Sequence, residues 1–288
     1  MLTRKILSFL KMTTPQRNSP SLWVEHFPRL QEDGHKYSRG YLLIIAGQLP
    51  GAIKLASYAA RRMGVGLVKV ICPESEKVFY GDLAPGTIIE TYKSVLDIKQ
   101  QIDNEDITAY LYGPGVTNLD AEAQEVVFYL LSQNKPTLLD AGALTCFENN
   151  KESLYENLHK DVVVTPHEGE YRRVFGWWKD REESVRKLGE TVPAVCVLKG
   201  PKTLIMQDGD ITVEEEAPAT LATAGTGDVL SGFVGSLLAQ RMPPVQAAQA
   251  AVYLHGACAN HFAEAKGGGM IAEDIADQLS GVLTKVIK

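Results

Sequence analysis

The chain has 288 residues, of which 45% are hydrophobic and 22% charged, so it is long enough and apolar enough to bury a large core as one globular domain. Its formal net charge of -6 and the absence of a long basic run argue against a nucleic-acid-binding surface. The four cysteines have neither disulfide nor zinc-site spacing and no segment approaches membrane-spanning length, so we expect a cytoplasmic protein without a nucleic-acid or membrane partner.

The first 13 residues contain only a short apolar run, at 6–10, next to Arg4, Lys5 and Lys11, which is too short for a signal peptide. Residues 1–20 end in a stretch rich in proline and small polar residues, Pro15 to Pro20. Such termini are commonly poorly ordered. We therefore expect a loosely ordered lead-in over residues 1–20 and a single domain over residues 21–288.

Strand and helix patterns alternate after this lead-in. Residues 41–46 form a continuous apolar run, a helical pattern follows at about 51–63, and residues 67–72 form a second apolar run, which together predict a βαβ unit. Further strands are predicted near 87–91, 108–112, 136–140, 161–165 and 194–199. Helices are predicted between most of them, notably at 121–132.

The pattern changes after residue 199. Residues 203–206 and 211–215, joined by Gln-Asp-Gly-Asp at 207–210, predict a hairpin. Helices are predicted at 228–240, 244–264 and 272–286, and the acidic cluster 214–216 is interpreted as solvated. The expected fold is α/β: a central, mostly parallel sheet flanked by helices on both faces, with an antiparallel hairpin at one edge.

Polar residues follow several predicted strands, and open α/β sheets build their sites at these strand ends. Gly-Pro-Gly at 113–115 is either a tight turn or a backbone that passes close to a ligand. Asp140 either organises a loop or is a polar residue of a site. Lys199 is either solvated or supplies a point charge beside a phosphate.

Residues 165–170, Thr-Pro-His-Glu-Gly-Glu, place a histidine and two carboxylates in one short turn. A lone histidine is usually structural, and Glu168 or Glu170 could simply begin a helix. Glu170 could instead hold a water on Mg²⁺, since this hard cation prefers oxygen ligands and retains several waters.

Residues 225–228, Gly-Thr-Gly-Asp, open directly into an amphipathic helical pattern. Gly225 and Gly227 let backbone N–H groups approach a phosphate, and the positive end of the helix dipole favours its charge. Asp228 is either a helix cap or a general base that takes a proton from a hydroxyl attacking phosphorus.

Taken together, these motifs resemble the NAD(P)H-hydrate dehydratase family, a branch of the ribokinase-like fold. The resemblance covers roughly residues 35–285. Ordered motifs at several positions are more specific than any single one. They lie at 35–36, 50–52, 112–115, 139–144, 165–170, 198–200, 224–232 and 252–256.

The resemblance implies a metabolite-repair activity. Members of the family use a nucleotide to drive water out of the hydrated nicotinamide ring of NADH or NADPH, acting on the S epimer. Phosphoryl transfer to the hydrate, followed by loss of phosphate, restores the ring double bond. ADP would leave AMP and phosphate, and ATP would leave ADP and phosphate.

The resemblance also implies roles for individual residues. Asp228 would be the base and would contact the hydrate, with Gly225, Thr226 and Gly227 forming the anion hole. Glu170 would hold Mg²⁺ through water. The remaining implied sites are hydrate binding by Ala52, Gly115 and His167, and nucleotide binding by Lys199, Gly200, Pro201, Lys202, Thr203 and Gly227.

The implied partners are small molecules: hydrated NADH or NADPH, and ADP or ATP. A separate NAD(P)H-hydrate epimerase would act in the same pathway, and the chain would form a homo-oligomer, either a dimer or a tetramer. Two alternative functions stay open: a ribokinase-like kinase for a small vitamin-precursor alcohol, and a non-catalytic nucleotide-binding sensor. The Thr-Pro-His run favours the dehydratase over the kinase.

Overall fold

A computed structural model of the chain describes residues 14–287 and contains one ten-stranded sheet. The predicted strands are all present, at nearly the predicted positions. The strands are β1 (Gln16–Arg17), β2 (Tyr41–Ile45), β3 (Leu67–Pro73), β4 (Thr87–Tyr92), β5 (Ala109–Tyr112), β6 (Thr137–Leu139), β7 (Val162–Val164), β8 (Val195–Leu198), β9 (Thr203–Gln207) and β10 (Asp210–Glu214).

The sheet order is β1-β10-β9-β8-β7-β6-β5-β2-β3-β4. All neighbouring pairs are parallel except the two that involve β9. Asp208 and Gly209 connect β9 to β10 with positive φ angles of 51° and 84°, as a tight hairpin turn requires. The mostly parallel sheet and the hairpin are confirmed.

Helices cover both faces of the sheet, as predicted. Alternate residues of β2 point to opposite faces: Leu42 and Ile44 pack into one core, and Leu43 and Ile45 into the other. The first core is completed by α1 (Pro50–Arg62), α8 (Thr226–Ala239), α9 (Pro244–Lys266) and α10 (Ala272–Val286). The second is completed by α2 (Val95–Ile102), α3 (Ala121–Ser132), α4 (Gly142–Thr145), α5 (Lys151–Asn157), α6 (Glu168–Val174) and α7 (Arg181–Gly189).

The N-terminal stretch departs from the expected loose lead-in. Residues 1–13 lie outside the described part of the chain, but β1 pairs in parallel with β10 and therefore lies outside the hairpin at that edge of the sheet. Asn18 is buried and donates its side-chain N–H to Glu214 Oε2 at 3.1 Å and to the carbonyl of Gln249 at 2.9 Å. Pairing satisfies the free edge of β10, which explains the order of this segment.

The acidic cluster at 214–216 is not uniformly solvated, contrary to the prediction. Glu214 is buried, and burial raises the pKa of its carboxyl group, although the bond from Asn18 opposes this rise. Glu215 and Glu216 are the exposed members, and they form ion pairs with Lys202 and Arg17.

The loops that follow the central parallel strands all lie at the carboxyl ends of those strands, on one side of the sheet. β5 lies beside β2 and not beside β4, so the chain winds outward in opposite directions from these two strands. Ligand sites of open α/β sheets lie in the crevice that such a reversal opens.

Candidate active site

The N-terminus of α8 is built around Gly225, its N-cap, whose φ of 89° is left-handed. A Cβ on Gly225 would lie 2.5 Å from Leu55 Cδ1, and one on Gly232 would lie 2.3 Å from the carbonyl oxygen of Ala56. Both glycines thus let α8 pack tightly on α1. Backbone N–H groups of the first helical turn lack intrahelical acceptors, so this end of α8 is suited to an anion.

Gly227 differs from these two glycines because its surroundings are open. Among the described residues outside α8, a Cβ built there would have only the Nζ atom of Lys199 nearby, at 3.6 Å. The structure therefore brings the ammonium of Lys199, which follows β8, next to the first turn of α8. A fixed positive charge beside free helix N–H groups is an arrangement suited to a phosphate.

Asp228, in the same turn, is half-buried. Within residues 14–287, no hydrogen bond reaches its carboxylate, so it does not cap α8. Burial, assisted by the negative charge of Asp140, raises the pKa of Asp228 to about 6, while Lys199 opposes the rise. A carboxyl group with such a pKa is ionised at neutral pH but more basic than an ordinary aspartate, which suits a general base.

Lys199 follows β8, and its ammonium forms an ion pair of 2.8 Å with Asp140 Oδ1. Burial disfavours its charge, but Asp140, Glu170 and Asp228 outweigh that effect, and the pKa of Lys199 is raised. The lysine is therefore a permanent cation at neutral pH, in the midst of three carboxylates.

His167 is the N-cap of α6, and Glu170 completes a capping box with it. His167 Nδ1 accepts the N–H groups of Gly169 at 2.9 Å and Glu170 at 3.3 Å, while Glu170 Oε2 accepts the N–H of His167 at 2.8 Å. A Cβ on Gly169 would lie 2.8 Å from the imidazole ring, which explains the glycine in this motif. Because Nδ1 is an acceptor, the imidazole proton lies on Nε2, on a side chain that is 54% exposed.

The Gly-Pro-Gly turn at 113–115 makes room for neighbouring backbone. A Cβ on Gly113 would lie 1.7 Å from the carbonyl oxygen of Asp140, and one on Gly115 would lie 2.5 Å from that of Leu49. Leu49 also donates its N–H to the Gly115 carbonyl at 3.0 Å and is the N-cap of α1, the helix that contains Ala52. The structure thus places Gly115 beside the loop that leads to Ala52.

The side chain of Arg181 in α7 fixes the backbone of the predicted nucleotide-binding loop, residues 199–203. Arg181 Nη2 donates to the carbonyls of Leu198 at 3.1 Å, Lys199 at 3.3 Å and Lys202 at 3.1 Å. Its Nη1 forms an ion pair with Glu168 Oε2 at 3.1 Å. Nothing in the local sequence around Arg181 indicated this contribution.

Within this loop the two lysines differ in environment. The Lys199 ammonium is turned toward Gly227, whereas Lys202 is exposed and forms an ion pair of 2.7 Å with Glu215. The Thr203 hydroxyl donates to the Gly200 carbonyl at 3.1 Å and so closes the loop.

His255 of α9 forms a hydrogen bond with the first turn of α8. Its Nε2 lies 2.9 Å from the carbonyl oxygen of Thr226. Burial lowers the pKa of His255 to about 4, although the bond to Thr226 opposes this shift. The ring is neutral at physiological pH, and Nε2 donates its hydrogen to the carbonyl.

The structure therefore gathers most of the residues predicted from the sequence into one site. An isolated parallel bridge pairs His167 with Lys199, whose ammonium adjoins Gly227 and, beyond it, Asp228. The sequence left Asp140 undecided and did not indicate Ser231, whose hydroxyl donates to Asp140 Oδ2 at 2.7 Å. A serine three residues after Asp228, on the buried side of an apolar helix, was the available signal.

Comparison with known proteins identifies the family. A family model described as NAD(P)H-hydrate dehydratase matches residues 42–280, which include every site residue described above. The chain belongs to the NAD(P)H-hydrate dehydratase family. Within this family, the ADP-dependent (S)-NAD(P)H-hydrate dehydratase of Neisseria meningitidis serogroup B is 35% identical over 278 residues, covering 91% of this chain and 91% of that protein.

Solved structures with the same fold include another dehydratase. The ADP/ATP-dependent NAD(P)H-hydrate dehydratase from Bacillus subtilis, co-crystallised with ATP and Mg²⁺, matches with a TM-score of 0.79 and 28% identity, covering 96% of this chain and 100% of that one. A ribokinase-like superfamily protein from Enterococcus faecalis V583 matches with a TM-score of 0.82 and 24% identity, covering 96% and 98% of the two chains. The predicted ribokinase-like fold is confirmed. No helix within residues 14–287 has both the length and the apolar character to cross a membrane.

Proposed function

We propose that this member of the NAD(P)H-hydrate dehydratase family converts the S epimer of hydrated NADH or NADPH back to NADH or NADPH, with ADP or ATP as co-substrate. One observation carries the proposal: the start of α8 combines open N–H groups, the Lys199 ammonium and the Asp228 carboxylate with its raised pKa. These are the parts that phosphoryl transfer from a nucleotide to a hydroxyl requires.

The proposed reaction has two steps. Asp228 takes the proton from the ring hydroxyl while the oxygen of that hydroxyl attacks the terminal phosphorus of the nucleotide. The leaving group is AMP if the nucleotide is ADP, and ADP if the nucleotide is ATP. The carbon–oxygen bond to the new phosphate then breaks, and loss of a neighbouring ring proton restores the double bond. The N–H groups of 225–227 and Lys199 stabilise the charge on the transferred phosphoryl group.

The remaining residues of the proposed site would bind the two substrates. Ala52 follows β2 near the start of α1 and Gly115 follows β5, and both would contact the hydrate, together with the exposed side chain of His167. The loop formed by Lys199, Gly200, Pro201, Lys202 and Thr203 would hold the nucleotide, because Arg181 fixes its backbone beside the start of α8.

The site fits Mg²⁺ only if the ion is held through water molecules and the nucleotide phosphates. No group of three histidine, cysteine or acidic side chains within residues 14–287 could enclose a metal ion. Mg²⁺ in nucleotide sites is usually held by one or two carboxylates and the phosphates, and it keeps several waters. Glu170, although it serves the capping box, has lone pairs left for such a water. A bound Mg²⁺ would neutralise charge on the nucleotide phosphates.

We expect Glu170→Gln to raise the Mg²⁺ concentration needed for half-maximal activity by about tenfold or more, because outer-shell partners commonly contribute that much. Glutamine also completes a capping box, so α6 should stay folded. The measurement is a Mg²⁺ titration of the rate, with Glu148→Gln, an exposed carboxylate that contacts Arg173 of α6, as the matched control. An unchanged Mg²⁺ requirement in the Glu170 variant would rule out this role.

The activity itself is tested by incubating purified protein with hydrated NADH, Mg²⁺ and either ADP or ATP, and following recovery of the nicotinamide absorbance. Hydrated NADPH in a parallel reaction gives the preference between the two dinucleotides. Recovery with neither nucleotide would eliminate the dehydratase proposal. Nucleotide binding without turnover would favour a sensor, and a stable phosphorylated alcohol as product would favour a kinase.

The biological setting is part of the same proposal. An enzyme that accepts only the S epimer leaves the R epimer unrepaired, so we infer that a separate epimerase acts with it. All four cysteines are free and buried, which suits a reducing compartment such as the cytoplasm. We also propose a homo-oligomer, a dimer or a tetramer, because Val78 and Phe79 expose adjacent apolar side chains.

A further inference from the structure

Asp140 occupies a turn whose backbone leaves it little freedom. Ala141, the next residue, has a positive φ of 44°, which is rare for a residue with a side chain. The Asp140 carbonyl packs against Gly113, and a Cβ on Gly142 would lie 2.2 Å from the Val116 carbonyl oxygen. This turn between β6 and α4 therefore holds the Asp140 carboxylate in one place.

Both oxygens of this carboxylate are engaged. Oδ1 accepts the Lys199 ammonium at 2.8 Å and the N–H of Ala141 at 2.9 Å, and Oδ2 accepts the Ser231 hydroxyl at 2.7 Å. The Asp140 side chain is only 3% exposed, so these bonds replace its hydration. Asp140 thus joins the end of β8 to α8, one helical turn beyond Asp228.

We propose that Asp140 is a positioning residue for the reaction: with Ser231, it locks the Lys199 ammonium against the first turn of α8 and couples that cation to Asp228. This role rests on the proposed function and deepens it. The competing interpretation is that Asp140 only organises its loop, in which case its charge would be irrelevant to Asp228.

The charged groups near Asp228 determine how the loss of the Asp140 charge should change the ionisation of Asp228. Asp140 at the end of β6 and Lys199 at the end of β8 act on it in opposite directions. Glu170 of α6 acts on Lys199, and His255 of α9 is neutral. Removing the negative charge of Asp140 should therefore make Asp228 easier to ionise and should leave Lys199 less firmly held.

The test compares three conservative variants. Asp140→Asn keeps the size of the side chain and one acceptor for Lys199 but removes the charge. Ser231→Ala keeps every charge and removes the bond to Oδ2. Ser236→Ala is the matched control, because Ser236 is a buried serine of the same helix that bonds to Val65 and Gln240, away from the site.

Two readouts separate positioning from simple destabilisation. Carbon-13 NMR titration of the Asp228 carboxyl, assigned with Asp228→Asn, should show the Asp228 transition about one pH unit lower in Asp140→Asn and unmoved in both serine variants. Turnover of hydrated NADH at pH 8 should fall about tenfold or more in Asp140→Asn and to a lesser extent in Ser231→Ala, because misplacement of a charged group is costly. Ser236→Ala should keep its turnover.

An Asp140→Asn variant with an unmoved Asp228 titration and native turnover, but with the same thermal destabilisation as Ser236→Ala, would show that Asp140 only organises its loop. Failure of the wild-type protein to restore hydrated NADH would overturn the dehydratase function instead. In that event the NMR titration would still decide whether Asp140 is coupled to Asp228, since it needs no substrate.

Discussion

Asp228→Asn should fold, bind nucleotide with near-native affinity, and lose turnover by about 10²- to 10⁴-fold. An amide cannot accept the hydroxyl proton, and positioned general bases commonly contribute a factor of this size. Affinity for the nucleotide should be kept or rise, because a negative charge near the phosphates is removed while the N–H groups of 225–227 remain. The measurements are a single-turnover rate with hydrated NADH and a dissociation constant by calorimetry.

The alternative role of Asp228 as a helix cap predicts almost no damage, because asparagine is itself a good cap. The structure already weakens this alternative, since no hydrogen bond between the Asp228 carboxylate and any other residue of 14–287 caps α8. A pH–rate profile gives a second check. The wild-type rate should fall as the pH drops through about 6, where Asp228 becomes protonated and can no longer accept the proton. Near-native turnover by the variant would require a different mechanism.

Lys199→Ala should weaken nucleotide binding far more than hydrate binding and should also destabilise the fold. The binding loss follows from the position of the ammonium beside Gly227, where the phosphates would lie. The stability loss follows from Asp140, whose buried carboxylate would lose its cation. Breaking a buried ion pair in this way typically costs about 3–5 kcal/mol. Calorimetry measures the two affinities, and urea unfolding measures the stability.

The two effects of this substitution can be separated with a double variant. Lys199→Met with Asp140→Asn leaves no unpaired buried charge, so most of the lost stability should return. Nucleotide affinity should stay low, because the point charge is still missing. Equal weakening of hydrate and nucleotide binding by the single variant, or restored nucleotide affinity in the double variant, would show that Lys199 does not contact the phosphates.

Most of the fold could be predicted from the sequence because its signals are local. The run at 41–46 is apolar throughout, since its strand is buried on both faces, and the spacing of apolar residues after Asp228 is helical. The predicted amphipathic character of that helix was wrong, because every residue of α8 from Val229 to Ala239 is buried among the sheet, α1, α9 and α10. The edge of the sheet could not be predicted in this way. β1 has only two residues. It forms because it pairs with the free edge of β10, nearly 200 positions away, and not because of any local sequence pattern.

The same distinction applies to the site. The sequence by itself indicated the helix start at 225–228 and placed His167 and Glu170 in one short turn, because in both cases the interacting groups are neighbours in the chain. The capping box that joins His167 and Glu170 was found only in the structure. Only the tertiary structure decided the partners of Asp140, since Lys199 lies 59 positions from it and Ser231 lies 91 positions from it. Those contacts exist because the strand order places β6 and β8 on either side of β7, with the carboxyl ends of all three strands on the same side of the sheet, next to the start of α8. A local pattern specifies backbone conformation, whereas the identity of a distant side-chain partner depends on which strand ends become neighbours.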